Sequence, residues 1–245
     1  DGRESDPTSA DSDGDGICDG ICDGDFEITK DFELEQIDSC RYITGDVVIN
    51  NTNVSNLNML QDLHYIGGNL YIGYNNNLLH LGGFSNLVRI GGGLKIISND
   101  SLTNINGLSN LQSIDGVYNL TSDEGSSEVS NNDYLQNIDG LIHITNFGNS
   151  FKISKNPSLE NIEGLKYLTS VGNFLTITLN DVLPNFDGLE KLEEINGSLV
   201  LKDNTLLESI DALGTLERIG GNLDISSNNN LLNIDGFENI NYIGG

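Results

Sequence analysis

The residues best placed to do chemistry lie near the amino terminus, where carboxylates alternate with small side chains. From residue 11 to residue 19 the chain follows the spacing D-x-D-x-D-G-x-x-D. Carboxylates at alternate positions converge on one hard cation, the glycine permits a sharp turn, and a backbone carbonyl supplies a further oxygen. The sequence therefore predicts a calcium site. Its predicted ligands are Asp11, Asp13, Asp15, the carbonyl of Ile17, Asp19 and Asp23.

The residues around this spacing narrow its interpretation. An EF-hand requires a glutamate three residues after Asp19, and that position holds Cys22. The stretch instead resembles the thrombospondin type 3 repeat, a calcium-bound linker common in secreted proteins, over about 15 residues. Because residues 1–25 contain almost no core residues, the alternative is an acidic disordered tail.

The three cysteines, Cys18, Cys22 and Cys40, all lie near the start of the chain. A thiolate metal site would need a histidine or a fourth cysteine close by, and none is present. One disulfide in an oxidising compartment fits better, and a Cys22–Cys40 bond would hold residues 26–37 over the chain that follows. Cys18 is then either free or paired locally with Cys22, and the sequence leaves that choice open.

Charge and hydropathy exclude several classes of partner. With 11 basic and 37 acidic side chains the formal charge is -26, which argues against nucleic acid and anionic membranes as partners. No run of about 18 apolar residues is present to insert into a bilayer.

The remainder of the chain repeats. Six units of 24 residues begin at Ile66, Ile90, Phe147, Val171, Ile195 and Ile219. In each unit the residues four and six positions on are apolar, which is one face of a short strand, and four further apolar positions follow. One unit cannot bury its own apolar stripe, but units stacked about 4.8 Å apart place equivalent side chains above one another. The sequence therefore predicts a mainly β solenoid of about eight coils.

Asparagine occurs 34 times in the chain and recurs nine residues after each of these starts. A side-chain amide has donors and an acceptor, so it can bond to the same amide one coil away. The alternative is a turn residue that tolerates positive φ, and the two roles are compatible.

Two units break the 24-residue period. The unit from Ile43 to Ile66 has 23 residues, and we expect Asn51 at its asparagine position. The unit from Ile114 to Phe147 has 33 residues. Matching Tyr118 and Leu120 to its strand leaves a polar, acidic insertion of nine residues at Thr121–Val129. Insertions in solenoids form loops on one face, which is either a binding face or a tolerant surface.

The outward-facing strand position, five residues after each start, carries varied side chains. It includes Tyr71, Lys95 and Lys152 in an otherwise acidic protein, with Asn119 expected between the two lysines. Varied side chains on a rigid sheet are typical of a recognition surface, and ordinary solvent-facing variety is the alternative. We therefore predict that Tyr71, Lys95 and Lys152 contact a partner. The insertion, with Asp123 and Glu124, would stand beside them.

Residues 26–42 are predicted to cap the amino-terminal end of the solenoid. Phe26 and Ile28 have the spacing of a strand, and Asp31–Ile37 has helical spacing with Asp31 as its N-cap. The carboxyl-terminal residues begin another unit, so we expect the natural protein to be longer.

The chain resembles the receptor L domain from about Asp25 to Gly245. The resemblance is based on the cap, on the I-x-G-x-L-x-I pattern that opens a unit and on the G-L-x-x-L-x-x-I pattern that closes it. The resemblance implies a right-handed parallel β-helix, similar to leucine-rich repeats. Together with the acidic stretch before it, the sequence is predicted to comprise a calcium linker (1–25), a cap (26–42) and a solenoid (43–245) with an insertion near 121–129. The matched positions are core positions, so they indicate the fold and not the ligand.

The sequence is compatible with three functions. The favoured one is a non-catalytic, secreted or cell-surface recognition or adhesion module for a protein or glycan. A structural spacer within a longer surface protein is second. An enzyme acting on polysaccharides is third, because the three histidines fall at different repeat positions and no basic cluster faces carboxylates at corresponding positions.

We expect calcium to order residues 1–25 without being required by the coils, because the carboxylates of Asp11–Asp19 repel one another until a cation joins them. Addition of a chelator should speed amide hydrogen exchange in that segment and leave most of the thermal stability intact. A collapse of the whole fold under chelation would contradict this separation.

Overall fold

The computed structural model describes residues 20–116 and 125–245. It is a solenoid in which the segment 20–42 and each following coil add strands to a narrow parallel sheet, and all but the last strand of that sheet are followed by a strand of a wider parallel sheet. The predicted fold class is confirmed.

The narrow sheet consists of two-residue strands, and each later strand ends at the apolar residue that opens a repeat unit. Its ten strands are β1 (Ile21–Cys22), β3 (Tyr42–Ile43), β5 (Tyr65–Ile66), β7 (Arg89–Ile90), β9 (Ser113–Ile114), β11 (Asn146–Phe147), β13 (Ser170–Val171), β15 (Glu194–Ile195), β17 (Arg218–Ile219) and β19 (Tyr242–Ile243).

The wide sheet consists mostly of four-residue strands whose first and third side chains point into the core. Its nine strands are β2 (Phe26–Ile28), β4 (Val47–Asn50), β6 (Leu70–Gly73), β8 (Leu94–Ile97), β10 (Ser127–Ser130), β12 (Phe151–Ser154), β14 (Leu175–Thr178), β16 (Leu199–Lys202) and β18 (Leu223–Asp224).

Short 3₁₀ helices form the remaining side of most coils. They are η1 (Asp31–Gln36), η2 (Asn58–Leu60), η3 (Gly82–Phe84), η4 (Asn106–Leu108), η5 (Asp139–Leu141), η6 (Glu163–Leu165), η7 (Asp211–Leu213) and η8 (Asp235–Phe237). The small residue of the repeat lies here because a Cβ at Gly107 or Gly164 would collide with a carbonyl oxygen of the preceding coil.

The core is a continuous column of aliphatic side chains between the sheets and the 3₁₀ helices. Equivalent residues stack in register, as Ile49, Ile72 and Ile96 do in the wide sheet, and all three are fully buried. In the last coil Ile234 is 54% exposed, whereas its counterpart Ile210 is fully buried beneath it.

A ladder of asparagines runs through the solenoid beside this core. Its six fully buried members are Asn75, Asn99, Asn132, Asn156, Asn180 and Asn204. The backbone N–H of each donates to the side-chain oxygen of the asparagine in the next coil at 3.0–3.2 Å. The side-chain amide of each donates to a wide-sheet carbonyl of the preceding coil at 2.9–3.2 Å. Each side-chain amide also lies 3.2–3.5 Å from the side-chain oxygen of the asparagine in the next coil, to which it donates, so the predicted bonding of amides between coils is confirmed.

Positive φ falls on the residue before the ladder position and not on the repeated asparagine. Tyr74 and Leu179, for example, have φ of 56° and 58°. In the first coil this residue is Asn51, at 55°, so the prediction that Asn51 occupies the ladder position is wrong. Thr52 occupies it instead, because its N–H and hydroxyl both donate to Asn75 Oδ1.

The long coil differs from prediction in the same way. Its wide-sheet strand is β10, in which Val129 pairs with Ile96 and Ile153. Ser127 and Val129 therefore fill the strand positions expected for Tyr118 and Leu120, and the predicted insertion at Thr121–Val129 is wrong. The additional residues lie in the sequence between β9 and β10, so the coils on either side stay in register.

The cap closes the amino-terminal end with apolar side chains and one disulfide. Ile28 and Ile37 are fully buried, and Cys22 bonds to Cys40 with their Cα atoms 5.7 Å apart. The pairing expected for these two cysteines is thus present, and Cys18 lies outside the described residues. The prediction that Asp31 is the N-cap of the helix is wrong, because Lys30 holds that position and Asp31 accepts the N–H of Asn53 in the first coil.

Replacing a ladder asparagine should destabilise the fold far more than replacing its exposed neighbour. Asn75→Ala leaves the N–H of Thr52 and the carbonyl of Ile49 without their side-chain partners, at about 1–3 kcal/mol for each buried group. Asn76 is exposed, so Asn76→Ala should change the free energy of unfolding by less than about 0.5 kcal/mol. Urea unfolding followed by circular dichroism measures both, and equal effects would contradict a stabilising ladder.

Candidate recognition surface on the wide sheet

The second residue of each wide-sheet strand points outward, and the parallel register aligns these residues into one line, here called the outer column. Its members are Glu27, Val48, Tyr71, Lys95, Glu128, Lys152, Thr176, Val200 and Asp224. The three predicted contact residues Tyr71, Lys95 and Lys152 lie in this column. The expected Asn119 does not, because Glu128 takes its position.

Glu128 changes the charge of the column. Its carboxylate lies 2.9 Å from Lys152 Nζ, and Lys95 adds a second positive charge on the neighbouring strand. Burial raises the pKa of Glu128, but hydrogen bonds from Lys152 and Ser130 and the two positive charges outweigh this, so the pKa lies below its ordinary value. The carboxylate is therefore ionised at neutral pH and offsets one of the two lysines.

Tyr71 extends along its own strand and covers a glycine. A Cβ at Gly73 would overlap the Tyr71 ring and hydroxyl, so this ring position requires glycine two residues further on. Burial raises the pKa of Tyr71, with smaller contributions from Tyr74 and Glu128, so its hydroxyl remains a hydrogen-bond donor at neutral pH. The other coils carry side chains at the position of Gly73, such as Ile97 and Thr178.

A cavity of about 530 Å³ opens beside Tyr71. Val48 and Tyr71 supply apolar surface, and Asp46, Asn50 and Lys95 supply polar groups. The side-chain oxygen of Asn50 is buried and has no hydrogen-bond partner among the residues that the structure describes. The cavity therefore combines an apolar floor with an unused acceptor.

Lys95 also lines a second cavity of about 240 Å³ on its other side. Phe174, 47% exposed, and the hydroxyl-bearing Ser126 and Ser150 border this smaller cavity. The ammonium group of Lys95 has no carboxylate within ion-pair distance in the described ranges 20–116 and 125–245. One unpaired cation thus stands where the two cavities meet.

The remaining predicted site residues lie apart from this surface or outside the described residues. Asp11, Asp13, Asp15, Ile17 and Asp19 fall in the undescribed amino-terminal segment, as do Asp123 and Glu124 in the undescribed part of the long coil.

Asp23, the one described member of the predicted calcium set, accepts a hydrogen bond from the Thr44 hydroxyl at 2.6 Å. Within the described part of the chain, no group of three or more His, Cys, Asp or Glu side chains could hold a metal ion. The calcium site therefore stays a prediction from the sequence.

Sequence reasoning missed Asp46, Asn50 and Phe174. Asp46 and Phe174 share one repeat position, the residue before the wide-sheet strand, which holds small or polar residues in most coils. Phe174 was therefore recognisable from the repeats as an apolar exception. Asn50 carried no such signal, because its importance depends on an unpaired oxygen.

Comparison with known families accounts for the repeat. The family model of the receptor L domain matches residues 18–82 and 65–164, which together span more than half of the chain. The chain belongs to the receptor L domain family. A comparison with curated proteins finds no match.

Receptor L domains are non-catalytic binding modules of receptors, and they bind protein ligands. A disulfide in such a domain is typical of an extracellular protein. None of the helices in the described ranges has the length and apolar composition needed to cross a membrane.

The ion pair in the outer column should give a pH-dependent contribution to stability. Because the pKa of Glu128 is lowered in the folded state, its contribution is present above the unfolded pKa of about 4.3 and is lost as the pH falls through the folded value. Glu128→Gln should therefore lower the free energy of unfolding at pH 7 by up to about 1 kcal/mol, with a smaller difference at acid pH.

Glu27→Gln is the matched control, since Glu27 lies exposed in the same column with no ion pair among the described residues. Urea titrations of both variants at neutral and acid pH make the comparison. A Glu128→Gln effect that grows as the pH falls would contradict the assigned direction.

Proposed function

We propose that this receptor L domain is an extracellular recognition module that binds a protein or glycan through the outer column from Val48 to Thr176. The cavity beside Tyr71 carries the proposal. It places apolar surface, the unpaired acceptor of Asn50 and the unpaired cation of Lys95 together, and none of these groups is required by the core. A rigid sheet presents them in a fixed arrangement, so binding would need little reordering.

The rest of the chain is consistent with a place at the cell surface. We propose that residues 11–23 bind calcium and stiffen a linker ahead of the cap in a secreted or cell-surface protein. The Cys22–Cys40 disulfide, which closes the cap, supports an oxidising compartment.

A structural spacer is the second candidate, and the unbroken asparagine ladder favours it because a regular stack of coils holds its two ends apart. The two functions differ in one measurable respect. A spacer gives no specific ligand in a screen of proteins and glycans, whereas a recognition module does.

Replacing Tyr71 or Lys95 by alanine should weaken the binding of a ligand found in such a screen by about tenfold or more, with little change in stability, because both side chains lie on the outer surface. Val200→Ala is the matched control, since Val200 lies in the same column outside both cavities. Titration calorimetry and thermal unfolding are the measurements.

Two outcomes would contradict this assignment. Unfolding of the Tyr71 and Lys95 variants would mean that these side chains support the fold. Unchanged binding, together with loss of binding on substitution in the surface of residues 108–114, would place the site on another side of the solenoid.

A further inference from the structure

We propose that the ligand of this surface is a neutral oligosaccharide that lies along the solenoid axis across both cavities. This inference rests on the proposed recognition function and adds the chemical class of the ligand. Four properties of the surface support it: its charge, its apolar contacts, its unused polar groups and its lack of a free strand edge.

Among the described residues that line the two cavities, the charges cancel. Lys95 and Lys152 give two positive charges, and Asp46 and Glu128 give two negative charges. With the expected Asn119 between the lysines, the column would have attracted an acidic ligand. With Glu128 there, an anionic ligand meets a neutral surface on a protein of charge -26 and gains no net attraction.

Each cavity is lined by an aromatic ring, which is half-buried at Tyr71 and exposed at Phe174. Tyr71 covers Gly73 and lines the larger cavity, and Phe174 lines the smaller one. The flanking coils have Ser150 and Ser198 at the position of Phe174, so the fold does not require an aromatic residue there. The C–H faces of sugar rings pack against such surfaces without needing charge.

The unused polar groups match hydroxyl groups. The buried oxygen of Asn50 can only accept a hydrogen bond, and the ammonium group of Lys95 can only donate. A sugar hydroxyl does both, so one ligand rich in hydroxyls satisfies both groups. The serine hydroxyls of the smaller cavity add further donors and acceptors.

The surface offers few hydrogen-bond partners to the backbone of an extended peptide. Tyr71 and Lys95 lie on β6 and β8, which are hydrogen-bonded to a strand on each side. No strand edge is therefore available at this site to pair with a peptide backbone, as peptides that add to a sheet require. A peptide would leave its backbone groups unpaired over the apolar floor.

The spacing of the coils sets the size of the ligand. From Tyr71 to Thr176 the column spans four coil steps, or about 19 Å at the usual separation of strands. Because Lys95 borders both cavities, one ligand can bridge them. An oligosaccharide fits this length better than a single sugar.

The test is an array of neutral gluco-, manno-, galacto- and N-acetylchito-oligosaccharides, with uronate oligosaccharides of equal length as charged comparisons. We expect a neutral oligosaccharide to bind at least tenfold more tightly than its uronate counterpart. NMR shifts of the full chain should then change at Tyr71, Lys95 and Thr176. Lengthening the saccharide beyond one sugar should increase the affinity.

Two variants keep the test independent of folding. Gly73→Ala displaces the Tyr71 ring at a position where other coils carry side chains, and Phe174→Ser installs the residue of the flanking coils. Each should reduce saccharide affinity about tenfold and leave the melting temperature nearly unchanged. Val200→Ala should change neither quantity.

Failure of this inference and failure of the proposed function give different results. Preference for uronates, shifts on another face, or no saccharide binding at millimolar concentration overturns the saccharide assignment. If a protein or acidic peptide then binds and Tyr71→Ala weakens it, recognition by the outer column still stands. If no ligand of any class is sensitive to Tyr71→Ala, both proposals fall.

Discussion

The hydrogen bonds of the buried asparagines are the constraint on which the rest of this solenoid depends. Each ladder amide bonds to the coil before it and accepts from a backbone N–H, so neighbouring coils are fixed in register at a point inside the fold. An amide placed one residue away would leave buried donors and acceptors unpaired, at about 1–3 kcal/mol each. This cost holds the residue before each ladder position at positive φ, even where that residue is Leu179.

The fixed register of the coils explains how a recognition surface can form on this solenoid, although the positions that recur in every repeat unit are almost all core positions. Once the ladder and the core align the coils, the outward residues form a column whatever their identity. The outer side chains are free to vary because they contribute little to stability. Differences between coils, such as Phe174 among serines, are then available for binding.

Much of this architecture could be predicted from the sequence, and the wrong predictions of strand and ladder positions all lie in the two coils that break the 24-residue period. In the 24-residue coils the period alone placed Tyr71, Lys95 and Lys152 correctly in one column. In the 33-residue coil, apolar alternation favoured Tyr118 and Leu120 over Ser127 and Val129, and in the 23-residue coil the repeated asparagine favoured Asn51 over Thr52. The third residue of each four-residue wide-sheet strand precedes the ladder position by three residues, as Ile96 precedes Asn99. This rule identifies both Val129 and Thr52.

The chemistry of the surface could not be predicted from the sequence, because it depends on which residue of the long coil enters the outer column. Glu128 occupies the position expected for Asn119, so a carboxylate lies between the two lysines where a neutral amide was expected. The unpaired oxygen of Asn50 likewise depends on which neighbours reach it. Such properties depend on contacts between coils that are distant in sequence.

The orientation of the interstrand bonds also determines how the molecule bears mechanical load. Hydrogen bonds between coils run along the solenoid axis, so tension applied to the two ends pulls them apart one interface at a time. Each coil contacts chiefly its neighbours, so a detached coil leaves the rest intact. Each coil that detaches frees about 24 residues, which extend to at most about 80 Å. Under tension the domain would lengthen stepwise as an extensible tether, and its outer column would be lost coil by coil.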